Sequence, residues 1–217
     1  RKMSLQSVTM LRYPLVSMVE QCYNADYGIS RYNGLYAGQV GNSPAERRWT
    51  VALSLLADRV FPSVQAISPR WLAQEGVTLL LADLDNTLSA YGVPEPDEPV
   101  RAWERALREA GVTLFILSNN RKPERARRYA QSLGVPYIGH AGKPKPGSFR
   151  RAMEQMGAGP GQTAIVGDQI FTDILGGKRA GVRTLLVEPI RLAGNPGRYL
   201  RYAAEWPFRA LAKQRSM

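Results

Sequence analysis

The sequence predicts an α/β protein of the Rossmann-like, three-layer type, with a parallel sheet of about five strands between helices. Short apolar runs alternate with amphipathic segments of helical length, glycine closes most of those segments, and polar residues directly follow the apolar runs. Strands that alternate with such helices form βαβ units, whose strands are parallel and covered on both faces. In sheets of this kind the ligand binds at the carboxyl ends of the strands.

The apolar runs give the predicted strands, at residues 77–83, 112–117, 135–138, 163–166 and 182–187. Helices are predicted from Ser68-Pro69 to Gly76, over residues 100–110, from Pro123 to Gly134, around residues 149–156 and up to Ala180. Residues 89–99 hold three prolines and predict a loop. That loop is too short to contain an inserted cap domain, so we expect a capless, open site.

A chain of 217 residues suffices for one well-buried α/β domain with an extension. We expect residues 1–58 to be a poorly defined N-terminal extension, since their tyrosines follow no sustained period. Residues 49–60 are compatible with one short helix. Residues 59–217 are predicted to form the folded domain, which ends in a basic C-terminal tail.

The net charge of +11 indicates an acidic partner, which is nucleic acid, an anionic lipid surface or a phosphorylated substrate. The single cysteine, Cys22, excludes an internal disulfide framework and suits a reducing compartment, so we expect a cytoplasmic protein. No apolar run approaches the roughly 20 residues that span a bilayer, which excludes an integral membrane protein.

The tail from Arg191 to Met217 mixes basic and aromatic residues. On an amphipathic helix they suit an anionic membrane surface, which would give peripheral association with the inner membrane. The alternative is a terminal helix that packs on the sheet. The residues concerned are Arg198, Tyr199, Arg201, Tyr202, Trp206, Phe208, Arg209, Lys213 and Arg215.

Two aspartates, Asp83 and Asp85, directly follow the first predicted strand. If the strand continued, both carboxylates would lie on one face, and like charges so close need a cation between them. Mg²⁺ and a phosphate held by it are the natural candidates. One carboxylate could then be a nucleophile and the other a general acid and base. Taken alone, an ordinary turn or helix cap remains the alternative.

Polar residues follow three more predicted strands. Ser118 and Asn119 offer donors to phosphate oxygens, Lys143 and Lys145 lie in a proline-rich loop, and Asp168 and Asp173 follow the fourth strand. Carboxylates and a lysine that converge at one sheet edge predict a site for a metal and a phosphate. Arg121 and Arg125 could reach a second anionic group of the substrate.

These four pieces resemble the motifs of the haloacid dehalogenase superfamily of aspartyl phosphatases. More narrowly, the chain is similar to the YqeG-type family (subfamily IIIA), which includes phosphatidylglycerophosphatases. The resemblance covers about residues 60–189 and rests on the runs Asp83-Leu84-Asp85-Asn86-Thr87-Leu88, Ser118-Asn119-Asn120, Lys143-Pro144 and Gly167-Asp168-Gln169-Ile170-Phe171-Thr172-Asp173-Ile174-Leu175-Gly176-Gly177.

The resemblance implies that Asp83 is the nucleophile and Asp85 the general acid and base. Ser118 would bind the transferring phosphoryl group, and Lys143, the first lysine of its loop, would neutralise it. Mg²⁺ would be held by Asp83, the backbone carbonyl of Asp85 and Asp168, with Asp173 just outside the ligand sphere.

We therefore expect a hydrolase, a Mg²⁺-dependent phosphomonoesterase that acts through an aspartyl-phosphate on phosphatidylglycerophosphate. One alternative is a phosphatase for a soluble or nucleic-acid end phosphate, which the basic charge also permits. The other is a regulatory module that binds phosphate without hydrolysing it. The presence of Asp85 argues against the second alternative, because a pure binder needs no acid and base.

Overall fold

The computed structural model describes residues 55–120, 123–191 and 196–216, and within them six strands form one sheet. All neighbouring strands are parallel, in the order β1-β6-β5-β2-β3-β4. The strands are β1 Arg59–Phe61, β2 Leu79–Ala82, β3 Thr113–Leu117, β4 Tyr137–Ile138, β5 Thr163–Gly167 and β6 Arg183–Val187.

Helices follow the strands as the alternating pattern predicts. They are α1 Pro69–Gln74, α2 Glu98–Glu109, α3 Pro123–Leu133, α4 Gly147–Met156, α5 Leu175–Ala180 and α6 Pro196–Ser216. Short turns lie at Val64–Ala66 and Pro160–Gln162, and a π-helical turn at Ile170–Ile174 precedes α5. The first two helices begin where polar caps predict, because Ser68 Oγ accepts from the Trp71 N–H and Asp97 Oδ1 from the Val100 N–H.

The sheet is the middle of three layers, because alternate side chains of each strand enter different cores. Along β2, Leu80 and Ala82 join a core that contains side chains of α1, α2 and α3, whereas Leu79 and Leu81 join a second core with Phe149 of α4. Both cores are fully buried at the sheet. The predicted α/β, Rossmann-like fold is confirmed.

The central strands also end level with one another. Ala82, the last residue of β2, pairs with Ile116 of β3 on one side and with Val166 of β5 on the other. The carboxyl ends of these strands therefore meet along one edge of the sheet. Residues 83–97 connect β2 to α2 without an inserted domain, so that edge carries no cap there.

The edge strand β1 was not predicted. It pairs with β6, and its three residues are too few to show a period. Arg59 and Val60 therefore belong to a strand, which corrects the short helix expected over residues 49–60. The packed region already includes Leu55 and Ala57. Residues 1–54 lie outside the described residues, so the N-terminal extension stays a prediction.

The C-terminal tail is a helix that packs on the domain. Glu205, Arg209 and Ala212 of α6 are buried, and the helix contacts β1 and the π-helical turn. Its opposite face leaves four large side chains exposed to solvent, namely Tyr199, Leu200, Trp206 and Leu211. Among the helices of the described ranges, none combines the length and the apolar character needed to cross a bilayer.

Candidate active site

The turn after β2 brings the two aspartates of the first motif to the sheet edge. The Asp83 N–H still donates to the Val166 carbonyl at 3.0 Å, but the strand ends at Ala82 and the chain turns back. Asn86 has a left-handed conformation (φ 70°), which Asn tolerates better than most residues. Asp83 and Asp85 therefore lie on a turn, and the strand does not continue through them.

A buried lysine lies between two buried aspartates at this edge. Lys143 Nζ is 2.7 Å from Asp83 Oδ1 and 2.7 Å from Asp173 Oδ1, and the side chains of Lys143 and Asp173 are 1% exposed. Lys145, two residues on, is exposed. Of the two lysines in the loop, the structure thus brings Lys143 to the carboxylates.

Asp168 completes a cluster of three carboxylates. Oxygen atoms of Asp83, Asp168 and Asp173 lie within 4.8 Å of one another, and all three residues are buried. The Thr87 hydroxyl donates to Asp168 Oδ1 at 3.3 Å. Three of the four strand-end motifs of the sequence thus supply charged residues to one compact cluster.

The electrostatics of the cluster follow from burial and like charge. Burial raises the pKa of Asp83 to about 6, although Lys143 opposes the shift. Burial and the neighbouring Asp83 and Asp173 raise the pKa of Asp168 well above its usual range. Burial alone would lower the pKa of Lys143, but Asp173 and Asp83 outweigh it and hold that pKa above its usual value.

The donor set fits a hard divalent cation. The cluster holds three carboxylates and one ammonium, so a cation with two charges would neutralise it, and carboxylate oxygens are the ligands that Mg²⁺ prefers. Asp173 is already paired with Lys143, and its Oδ2 accepts from the Gln169 N–H at 3.1 Å. Asp83 and Asp168 are therefore the carboxylates best placed to bind the metal directly.

Gly167 makes room for Asp173. A Cβ atom at position 167 would lie 2.3 Å from the Asp173 carboxylate carbon, closer than any real contact. Glycine is thus required at the end of β5 for Asp173 to reach Lys143.

Asp85 is held on both carboxylate oxygens. Arg125 Nε donates to Oδ1 at 2.8 Å, and Asn120 Nδ2 donates to Oδ2 at 2.7 Å. Arg125 also donates to the carbonyls of Ala90 and Val93. Arg125 therefore contacts the proposed acid and base, instead of reaching out to substrate as the sequence suggested. Arg121 lies outside the described residues.

Ser118 and Asn119 have different partners. Ser118 is buried, and its Oγ accepts from the Asn120 N–H at 3.1 Å. The Asn119 side chain forms a reciprocal pair with the backbone of Lys143: its Nδ2 donates to the carbonyl at 2.9 Å, and its Oδ1 accepts from the N–H at 2.8 Å. Asn119 therefore holds the loop that presents Lys143, and its amide is not free for a phosphate.

Two residues near the site, Glu205 and Arg209, were not identified from the sequence as site residues. Arg209 was grouped with the basic residues expected at a membrane surface, but it is 3% exposed and donates to the Asp168 carbonyl. The only sequence signal was an i,i+4 charge pair, which usually marks a solvent-exposed helix face.

Comparison with known proteins gives a family. Residues 29–181 match the model of the haloacid dehalogenase-like hydrolases. "Probable phosphatase YqeG" of Bacillus subtilis is 34% identical over 135 residues, which cover 62% of this chain and 78% of that protein. "Phosphatidylglycerophosphate phosphatase 1, chloroplastic" of Chlamydomonas reinhardtii is 28% identical over 189 residues, covering 83% of this chain and 65% of that protein.

A third relative, "Phosphatidylglycerophosphate phosphatase 1, chloroplastic/mitochondrial" of Arabidopsis thaliana, is 28% identical over 133 residues and is matched over 38% of its length. The family match includes residues 29–58, which the sequence motifs alone had left outside. On the strength of the family match and of the similarity to YqeG, this chain belongs to the haloacid dehalogenase-like hydrolase family.

Proposed function

We propose that this chain is a Mg²⁺-dependent phosphomonoesterase that transfers a phosphoryl group to Asp83 and acts on phosphatidylglycerophosphate. The observation that supports the chemistry best is the contact of Lys143 Nζ with both Asp83 and Asp173, beside Asp168. Phosphoryl transfer is catalysed mainly by positioning and charge neutralisation, and this cluster supplies both.

The reaction has two steps. An Asp83 carboxylate oxygen attacks phosphorus, the bond to the leaving oxygen breaks, and Asp85 gives that oxygen a proton. Asp85 then takes a proton from water as the water oxygen attacks the same phosphorus, and the bond to Asp83 breaks to release phosphate. Asp85 must leave at least one of its contacts with Arg125 and Asn120 to reach these atoms.

Three groups would hold the metal, namely Asp83, Asp168 and the backbone carbonyl of Asp85, with Asp173 outside as the partner of Lys143. When bound, Mg²⁺ neutralises charge on the transferring phosphoryl group. Lys143 adds a second positive charge, and Ser118 adds a hydroxyl donor. Mg²⁺ suits these oxygen ligands, and calorimetry with Mg²⁺ alone would test whether the cluster binds it.

The choice of lipid rests on three supports. Two relatives are named as phosphatidylglycerophosphate phosphatases. The described residues 83–97 insert no cap domain between β2 and α2, so a phosphate on a large molecule could approach. The outer face of α6 exposes Trp206 and Leu200, with the basic residues Arg201 and Lys213 also exposed on that helix.

Apolar and aromatic side chains beside basic ones are typical of helices that lie in the surface of an anionic bilayer. We therefore propose peripheral association through α6, at the cytoplasmic surface of the inner membrane. Because Arg209 is buried and serves the site, charge reversal there would not test membrane binding.

The chemistry is tested with a small aryl phosphate and Mg²⁺. Asp83→Asn should release no phosphate, because an amide is not a competent nucleophile. Asp85→Asn should lose about 10²–10⁴-fold, the usual contribution of general acid–base help. Turnover by pure Asp83→Asn would exclude the covalent route, and an inactive wild type that binds phosphate would favour the regulatory module.

The substrate is tested with phosphatidylglycerophosphate in anionic vesicles. The double variant Leu200→Ala, Trp206→Ala should bind the vesicles more weakly and hydrolyse the lipid more slowly, with aryl phosphate turnover unchanged. Met156→Ala, an exposed apolar residue of α4, is the matched control. Phosphate release from nucleotides or DNA ends but not from the lipid would instead support the soluble-substrate alternative.

A further inference from the structure

Helix α6 places two charged side chains inside the domain, next to the candidate metal site. Glu205 and Arg209 are 1% and 3% exposed, and their charged groups pair at 3.4 Å. Burying charges costs free energy unless each group finds partners, and an apolar pair would pack a helix equally well. The reason for burying this charged pair should therefore lie in the groups that it contacts.

Both side chains contact the backbone of residues 168–171. Glu205 Oε1 accepts from the Ile170 N–H at 3.0 Å and from the Phe171 N–H at 3.3 Å. Arg209 Nη2 donates to the Asp168 carbonyl. These peptide groups carry Asp168 and lead into the π-helical turn. Asp173 lies within that turn.

The residue that precedes the π-helical turn, Gln169, does not cap it, because its side chain accepts no hydrogen bond from the backbone N–H groups of the turn. Glu205 of α6 accepts from the first two N–H groups of the turn instead, although it lies more than 30 residues away along the chain. The position and backbone dihedral angles of residue 168 influence where the Asp168 carboxylate points. The three side-chain contacts hold this peptide group and those that follow it, and so limit that direction. A pocket beside Asp168 is lined in part by Arg201, Tyr202 and the charged pair.

We propose that Glu205 and Arg209 are positioning residues that hold the backbone of residues 168–171 so that the Asp168 carboxylate faces the metal. The proposal rests on the proposed metal-dependent function and assigns α6 a part in it. Neither side chain needs to touch substrate. The pair acts through Asp168, so its removal should change metal affinity before it changes substrate affinity.

The test uses the full chain and Mg²⁺ alone, measured by calorimetry and by the Mg²⁺-induced rise in melting temperature. Arg209→Met and Glu205→Leu should weaken Mg²⁺ binding by about 10–100-fold, as loss of groups that orient metal ligands typically does. Glu205→Gln keeps an acceptor for the two N–H groups and should recover much of the affinity. Gln214→Ala, an exposed residue of the same helix, should bind Mg²⁺ as wild type does.

Activity on an aryl phosphate gives a second readout. At saturating Mg²⁺ the KM of Arg209→Met should stay within about twofold of wild type, while the Mg²⁺ concentration for half-maximal rate rises with the dissociation constant. A merely structural role would lower the melting temperature and leave the Mg²⁺ affinity unchanged, which would overturn the proposal.

Two milder variants cover the case in which Arg209→Met or Glu205→Leu does not fold. Arg209→Lys keeps the charge but not the forked donors and should bind Mg²⁺ more weakly than wild type and Glu205→Gln. Equal Mg²⁺ affinities in wild type, Arg209→Lys and Glu205→Gln would overturn the positioning role alone. A wild-type chain that binds no Mg²⁺ would overturn the proposed function and this inference together.

Discussion

The buried lysine of the site gives the sharpest test of its electrostatics. In Lys143→Met, the ammonium that lies 2.7 Å from both Asp83 and Asp173 is replaced by an apolar group of similar length. Removing one partner of a buried ion pair costs about 3–5 kcal/mol, because the other charge stays buried without compensation. Here two carboxylates lose the same partner, so we expect a loss of at least about 3 kcal/mol in the free energy of unfolding.

The size of this loss should depend on pH and on Mg²⁺. Asp83 already has a raised pKa of about 6, and losing Lys143 removes a group that lowers it. In the variant Asp83 is mostly protonated at pH 5.5 and repels its neighbours less, so the deficit of the variant should be largest near pH 7.5 and smaller at pH 5.5. The proposed Mg²⁺ would replace part of the lost positive charge, and at 100 times its dissociation constant it would stabilise the folded variant by about 2.7 kcal/mol.

Urea unfolding at both pH values, with EDTA or with Mg²⁺, measures these effects. Lys145→Met is the matched control, since Lys145 is exposed in the same loop and should change stability by less than about 0.5 kcal/mol. The reasoning is refuted if Lys143→Met in EDTA at pH 7.5 is as stable as that control. It is also refuted if the deficit grows as the pH falls.

Three further predictions concern Gly167, Asp58 and the N-terminal extension. Gly167→Ala should displace Asp173 and lower the rate of phosphate release by about 10²-fold, since a misplacement of about 1 Å can cost that much. Gly161→Ala is the control and should keep the wild-type rate, because no atom lies within 4 Å of its added Cβ. Equal rates in the two variants would show that Asp173 need not keep its place. Asp58→Asn should lower the free energy of unfolding by roughly 1–2 kcal/mol, because Asp58 accepts from the Thr184 N–H and hydroxyl and pairs with Lys178. Burial raises the pKa of Asp58, but Lys178 and Thr184 outweigh burial, so the pKa in the folded protein is lowered. The stabilisation should therefore be present above about pH 4, the pKa in the unfolded chain, and be lost as the pH falls through the folded pKa. A difference in melting temperature between wild type and Asp58→Asn that stays constant from pH 3 to pH 7 would contradict this prediction. Deleting residues 1–50 should leave turnover of a small aryl phosphate nearly unchanged, because the buried Leu55 and Ala57 remain, and a folded but inactive truncation would show that the extension serves the site.

The strand and helix order, the family and the gathering of four motifs at one edge could be predicted from the sequence. Period, glycine stops and caps such as Asp97 act over a few residues, and parallel strands that start level bring their following residues together. The edge strand β1 could not be predicted, because three residues show no period and its pairing with β6 lies more than 120 residues away along the chain.

What the sequence by itself determined is which residue types stand at each strand end: the carboxylates, the lysine and the small Gly167. Only the tertiary structure decided their partners. Asn119 pairs with the backbone of Lys143, Arg125 pairs with Asp85, and Arg209 lies inside next to Asp168. A charged or amide side chain has the same local pattern whether it meets water or a distant backbone group, because that choice depends on which helix packs over it.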